Sequence, residues 1–239
     1  MDRLEQVTDR IRQNFDRVTS TRDQALAQTR QLTRHCSLAI RAVHRGELDL
    51  MQSHLDEASA LAAALTQGLE LDFPALFHTG YTQDSLKEYA EACITCALIL
   101  DKPLPSPEDL HLLDATYLKG LSEVVGELRR RCLDILRQGW SQEAERLLKL
   151  MDDIFAVLVT MDYPDAITNG LRRQTDVARS IIERTRGDVT FSLRGEHLSK
   201  AIANLSRQLN AQDLPTDRST PGTFLPDEGE TTGLPDPND

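Results

Sequence analysis

Residues 82–100 read TQDSLKEYAEACITCALIL. At 100° per residue, Ala90, Cys93 and Ala97 fall within about 40° of Leu86 and form with it an apolar helical stripe. Glu88 and Glu91, three apart, share the far side with Thr95 and Ile99. From Ala92 onward the segment is apolar all round, so its far side is covered too. Two carboxylates beneath such a cover need a partner or a cation.

The segment 117–128, YLKGLSEVVGEL, is built the same way. Leu121, Val124, Val125, Leu128 and Cys132 make its apolar stripe, and Glu123 and Glu127 stack four apart on the opposite face. The plain alternative is that Glu127 meets Arg130 or Arg131 on an exposed face. Gly120 and Gly126 each cost about 1 kcal/mol relative to Ala in mid-helix. That cost points to close approach by another helix or a ligand. Two helices that each present a carboxylate pair are how bundles build divalent-metal sites. No histidine stands three residues after these glutamates, so a di-iron pattern is not favoured. Oxygen-only ligands point to Mg2+ or Mn2+, with surface ion pairs as the competing reading.

The rest of the chain is helical around these two segments. Residues 1–45 contain no Gly or Pro, and Gly46 ends one long helix or two with a slight break. A second helix runs from about Leu48 to Gln67, and Phe73–Phe77 is a short turn of helix after Pro74. After a loop with three prolines at Asp101–Pro107, the Ser106-Pro107-Glu108-Asp109 start carries a cap, a first-turn proline and an acid. Helix follows to Arg137. Ser141 caps a helix to about Met161, Pro164 opens another to about Arg186, and Asp188 starts the last, which ends near Asn210. No window reads as a strand. The fold class is all-α, an antiparallel bundle of about seven helices over residues 1–210.

Residues 211–239 hold seven acids, one base and five of the ten prolines, with few large apolar side chains. Such a segment does not offset its ordering entropy and is expected to be disordered. The net charge of −11 therefore divides into −6 for this tail and −5 for the body. Residues 1–45 carry nine arginines against five acids, and Gln24–Arg45 has four arginines, two histidines and no acid. On that helix Arg30, Arg34, Arg41 and Arg45 share one narrow stripe, opposite Leu32, Cys36, Ala39 and Val43. A solubilising face is one reading. A face of one sign also suits a track for backbone phosphates, gripped by guanidinium forks.

Cys36, Cys93, Cys96 and Cys132 show no signal-peptide context, so buried free thiols and a cytoplasmic location are expected. Cys93 and Cys96 have the C-x-x-C form but lack a second pair for zinc. The longest relevant uncharged run, Ala92–Leu100, is too short to span a bilayer.

Two motifs are recognisable together. Lys87-Glu88-Tyr89-Ala90-Glu91-Ala92 resembles the E-Y-x-E-A motif of the translin-associated factor X (Trax) branch of the translin family. Tyr117–Leu128 resembles that family's Y-L-x-G-x-x-D-x-x-G-E-L. Arg30-Gln31-Leu32-Thr33, His44-Arg45 and Leu193-Arg194-Gly195 are weaker matches, and the resemblance spans roughly residues 25–200. It implies a seven-helix bundle assembling into closed homo-oligomers around RNA. It also implies a Mg2+-dependent endoribonuclease acting on single-stranded RNA, with Glu88, Glu91, Glu123 and Glu127 as metal-holding and catalytic residues. The family's usual Asp is Glu123 here. Arg30, Arg34, Arg41 and Arg45, with Arg129 and Arg130, would position the strand. Few aromatics are present for base stacking, so little sequence preference is expected. Two other expectations stand beside this: a non-catalytic binder of single-stranded RNA or DNA, and a helical scaffold.

Overall fold

The computed structural model describes residues 2–212. The acidic tail assigned to residues 211–239 lies outside them from residue 213 on. All regular structure among the described residues is helical. Six helices are long: α1 (Asp2–Arg45), α2 (Leu48–Leu69), α4 (Gly80–Ile99), α6 (Asp114–Leu136), α7 (Gln142–Leu158) and α9 (Leu171–Gln212). Three have four residues each: α3 (Pro74–Phe77), α5 (Pro107–Leu110) and α8 (Asp165–Thr168).

Helix α1 is a single rod of 44 residues, as the lack of Gly and Pro predicts. Its buried face is Ala25, Thr29, Leu32, Cys36, Ile40 and Val43. Gly46 at φ 75° turns the chain back, so α2 packs antiparallel on that face. Helix α4 lies at the centre. It buries residues on every side, among them Leu86, Tyr89, Ala90, Ile94, Thr95 and Ile99, as its all-round apolar second half requires. Its first half joins a core with Leu32, Cys36, Leu65 and Phe77. Its second half joins a core with Val124, Leu128, Leu147, Met151 and Ile182. Each such aliphatic side chain, fully buried, contributes about 1.5–3 kcal/mol.

The starts of the helices obey local chemistry. Asp109 N–H donates to Ser106 Oγ and Ser106 N–H donates to Asp109 Oδ2, at 3.1 and 2.9 Å, closing the predicted cap of α5. That helix stops after one turn because His111 takes a left-handed conformation at φ 54°. Ser141 Oγ accepts from Glu143 N–H at the start of α7.

One expected boundary is absent. The sequence suggests a helix from Pro164 to Arg186 and another from Asp188. The structure instead ends α8 at left-handed Asn169 and Gly170 and runs α9 unbroken through Gly187. A lone glycine costs a helix about 1 kcal/mol but does not stop it. Arg186 meets Asp152 at 2.6 Å and Arg129 meets Asp188 at 2.8 Å, holding both sides of Gly187. By their contacts the described residues divide into two units, the second beginning at Leu198. In the second, Leu198, Ile202, Leu205 and Leu209 are exposed along one helical stripe.

Candidate metal centre

Helices α4 and α6 pack against each other at Gly120. A Cβ placed there would lie 2.6 Å from Ala90 Cβ, 2.9 Å from the Lys87 carbonyl oxygen and 3.1 Å from Glu91 N. Only glycine fits, which answers the cost of Gly120 in mid-helix. Gly126 has nothing within 4 Å. The crossing at Gly120 carries Glu123, one turn further along α6, up to Glu88 and Glu91 on α4. One carboxylate oxygen from each of these three residues lies within 4.8 Å of the others. This is the only such group of three or more metal-capable side chains among the described residues.

Lys87 completes the cluster. Its Nζ lies 2.6 Å from Glu123 Oε2 and 2.9 Å from Glu88 Oε1, with the side chain only 13% exposed. Burial opposes its charge, but the two carboxylates prevail and raise its pKa. Gln174 Nε2 of α9 donates to Glu123 Oε1 at 3.3 Å. Glu91 is the least comfortable member. Burial, then the charges of Glu88, Glu123 and Glu127, push it up to about 8. A site that suppresses ionisation of its own carboxylate accommodates additional positive charge.

The fourth carboxylate of the sequence expectation, Glu127, stands beside this group and is held differently. His44 Nε2 donates to Glu127 Oε2 at 2.6 Å, and Arg130 approaches the same oxygen at 3.6 Å. The His44 bond, foremost, lowers Glu127 below the usual carboxylate range. The His44 side chain is 3% exposed, and Arg131 donates to its carbonyl oxygen at 3.3 Å. Neither Lys87 nor His44 is among the site residues that the sequence predicts. Lys87 stands inside the motif, directly before Glu88, and that adjacency was the available signal.

The residues fit a hard divalent ion. All donors are oxygens, as Mg2+ and Mn2+ prefer. In an octahedron of Mg2+ only one pair among three ligands stands opposite, at about 4.2 Å, and the others stand about 3 Å apart, so oxygens within 4.8 Å of one another draw in by up to about 2 Å to share one ion.

Arg30, Arg34, Arg41 and Arg45 are all exposed on α1, and none forms an ion pair among the described residues. A groove of about 410 Å³ is lined by Arg30, Thr33, Tyr81, Asp84, Ser85 and Glu88, so one arginine of the stripe and one carboxylate of the cluster share a wall. Arg130 is half exposed beside Glu127. Arg129 goes elsewhere: it donates to Thr185 Oγ1 at 2.9 Å and pairs with Asp188, both on α9. The four cysteines are free, and burial pushes Cys93 and Cys96 up to about 12. No helix among the described residues is long and apolar enough to cross a membrane.

No protein-family model matches the chain. The uncharacterized protein MJ0175 of Methanocaldococcus jannaschii is 31% identical over 195 residues, which span 79% of this chain and 86% of that protein. Among solved structures, the AfC3PO–duplex RNA complex is 28% identical with a TM-score of 0.72, covering 78% of this chain and 96% of that one. AfC3PO alone is 27% identical with a TM-score of 0.73, covering 78% and 97%. Apo-NeC3PO, at 18% identity, a TM-score of 0.71 and coverage of 77% and 96%, shares the fold.

Proposed function

Because the chain belongs to the translin (C3PO) family, we propose that it is a Trax-like, divalent-metal-dependent endoribonuclease acting on single-stranded RNA within a homo-oligomer. The observation that carries this reading is the convergence of Glu88, Glu91 and Glu123 from two helices to within 4.8 Å. A scaffold has no use for such a cluster, because gathering three carboxylates costs stability.

Glu88, Glu91 and Glu123 would hold the ion. Bound there, Mg2+ or Mn2+ would activate water and neutralise charge on the scissile phosphate. Glu127 has one oxygen committed to His44 and Arg130. Its other oxygen is left to accept the proton of the attacking water. Arg30, Arg34, Arg41 and Arg45 grip the sugar–phosphate backbone, and Arg130 lies nearest the reacting phosphate. Arg129, engaged with α9, has no part in this. Self-association encloses the strand.

The test is cleavage of end-labelled RNA, single-stranded and duplex, since AfC3PO is known in complex with duplex RNA. Wild type with Mg2+ or Mn2+ should cut the single strand, while EDTA, Glu91→Ala and Glu123→Ala should abolish cutting and spare binding. Unchanged cleavage in EDTA would overturn the metal reading. A strict monomer by light scattering would overturn the enclosed strand.

A further inference from the structure

We propose that Lys87 is the centre's internal counter-cation: it holds the carboxylates together in the metal-free protein, yields its place to the divalent ion, and then meets the phosphate of the strand. This deepens the metal-centre reading and rests on it.

Three observations lead there. Lys87 is no ordinary surface partner. Its Nζ bridges two carboxylates on two helices at 2.6 and 2.9 Å. At 13% exposure it is more buried than Glu88 at 29% or Glu123 at 33%. For contrast, Lys119 approaches Asp84 at only 3.6 Å, and that carboxylate is 62% exposed.

Second, Lys87 contacts the side chains that an ion would need. Lys87 engages one oxygen each of Glu88 and Glu123, and a divalent cation drawn to the same two side chains meets its like charge at close range. Three gathered carboxylates without either cation would repel one another. A positive occupant offsets that repulsion, and the ammonium and the ion compete for the same two side chains.

Third, the head can move although its root cannot. The Lys87 backbone carbonyl is pinned against Gly120 at the helix crossing. The four-carbon stem is flexible and carries a compact charge. Glu88 and Glu123 are each about a third exposed, and the groove lined by Arg30 opens at Glu88. A displaced ammonium has that way out, toward the side from which a phosphate would arrive.

The two roles pull metal affinity and cleavage in opposite directions, which a merely structural lysine would not do. Mn2+ binding to the full chain, without RNA, is measured by calorimetry for wild type and Lys87→Met. The variant should bind Mn2+ about ten- to a hundredfold more tightly, since a charged hydrogen-bonded competitor is gone. At saturating Mn2+ it should cleave RNA about a hundredfold more slowly, as when one donor to developing charge is lost. Lys87→Arg keeps the charge and should bind Mn2+ no more tightly than wild type. Lys87→Gln keeps a donor without the charge and serves if Lys87→Met does not fold. Failure of wild type to bind Mn2+ would end the metal-centre reading and this one together. Mn2+ binding in wild type with equal or weaker binding in both neutral variants, or with undiminished cleavage, would overturn the role of Lys87 and leave the metal centre standing.

Discussion

His44 Nε2 donates to Glu127 Oε2 at 2.6 Å, joining the last turn of α1 to the middle of α6 across 83 positions of sequence. The bond is buried on the histidine side and sets the direction of the carboxylate. His44→Ala leaves Glu127 with Arg130 alone. It should cost about 1–3 kcal/mol in a urea melt and lower cleavage about 10- to 100-fold at unchanged KM. His44→Gln restores a donor and should recover most of the stability. A variant as stable and active as wild type would show the bond to be idle.

Glu91 has a folded-state value of about 8 against 4.5 for the ordinary carboxyl. The folded state therefore binds more protons than the unfolded state between these values, and stability falls as pH rises through that window. In EDTA, the Tm of wild type relative to Glu91→Gln should fall from pH 4.5 to about 8. Glu127 is shifted the other way, so its contribution is present above its unfolded value and is lost as pH falls. It is common to both proteins and cancels. Mn2+ at the upper end should restore wild type and leave Glu91→Gln little changed.

Gly120→Ala places a methyl group 2.6 Å from Ala90 Cβ and 2.9 Å from a backbone oxygen that cannot retreat. Overpacking of this kind costs about 1–3 kcal/mol, against about 1 kcal/mol of helix propensity gained. The helices part, Glu123 draws away from Glu91, and Mn2+ affinity falls. Gly126→Ala meets nothing within 4 Å and should raise stability by about 1 kcal/mol in the same thermal melt.

Replacing Arg30, Arg34, Arg41 and Arg45 together by Gln should leave the fold intact, since all four are exposed. RNA affinity should fall. Its salt dependence should flatten by about 3 units of slope, near 0.7 for each phosphate contact on a single strand. An unchanged slope would assign the stripe to solubility alone.

How much of this is legible before folding depends on the range of each interaction. The carboxylate pairs are local: three or four residues on one helix face, visible from spacing. Gly120 is half visible, because its cost demands a neighbour but does not name Ala90 and Lys87. Lys87 is invisible on a helical wheel. It lies 100° round from Glu88, and only its long stem brings the charge into the cluster. The His44–Glu127 bond depends on how α1 lies against α6, and no spacing rule contains that. Arg129 and Arg130 are sequence neighbours also 100° apart, so one reaches Asp188 and the other Glu127. The expected break at Gly187 fails for the same reason: partners on α6 and α7 hold the helix straight there.

Helix α1 is one unbroken piece about 65 Å long. At one end Leu4, Val7, Ile11 and Phe15 stand exposed in a row, and the rod first touches the body where Arg17 lies 5.2 Å over the ring of Phe73. At the other end His44 grips Glu127. Between those ends α1 is held along α2 and α4, so one rigid element sets both where the exposed apolar row stands and where His44 meets Glu127.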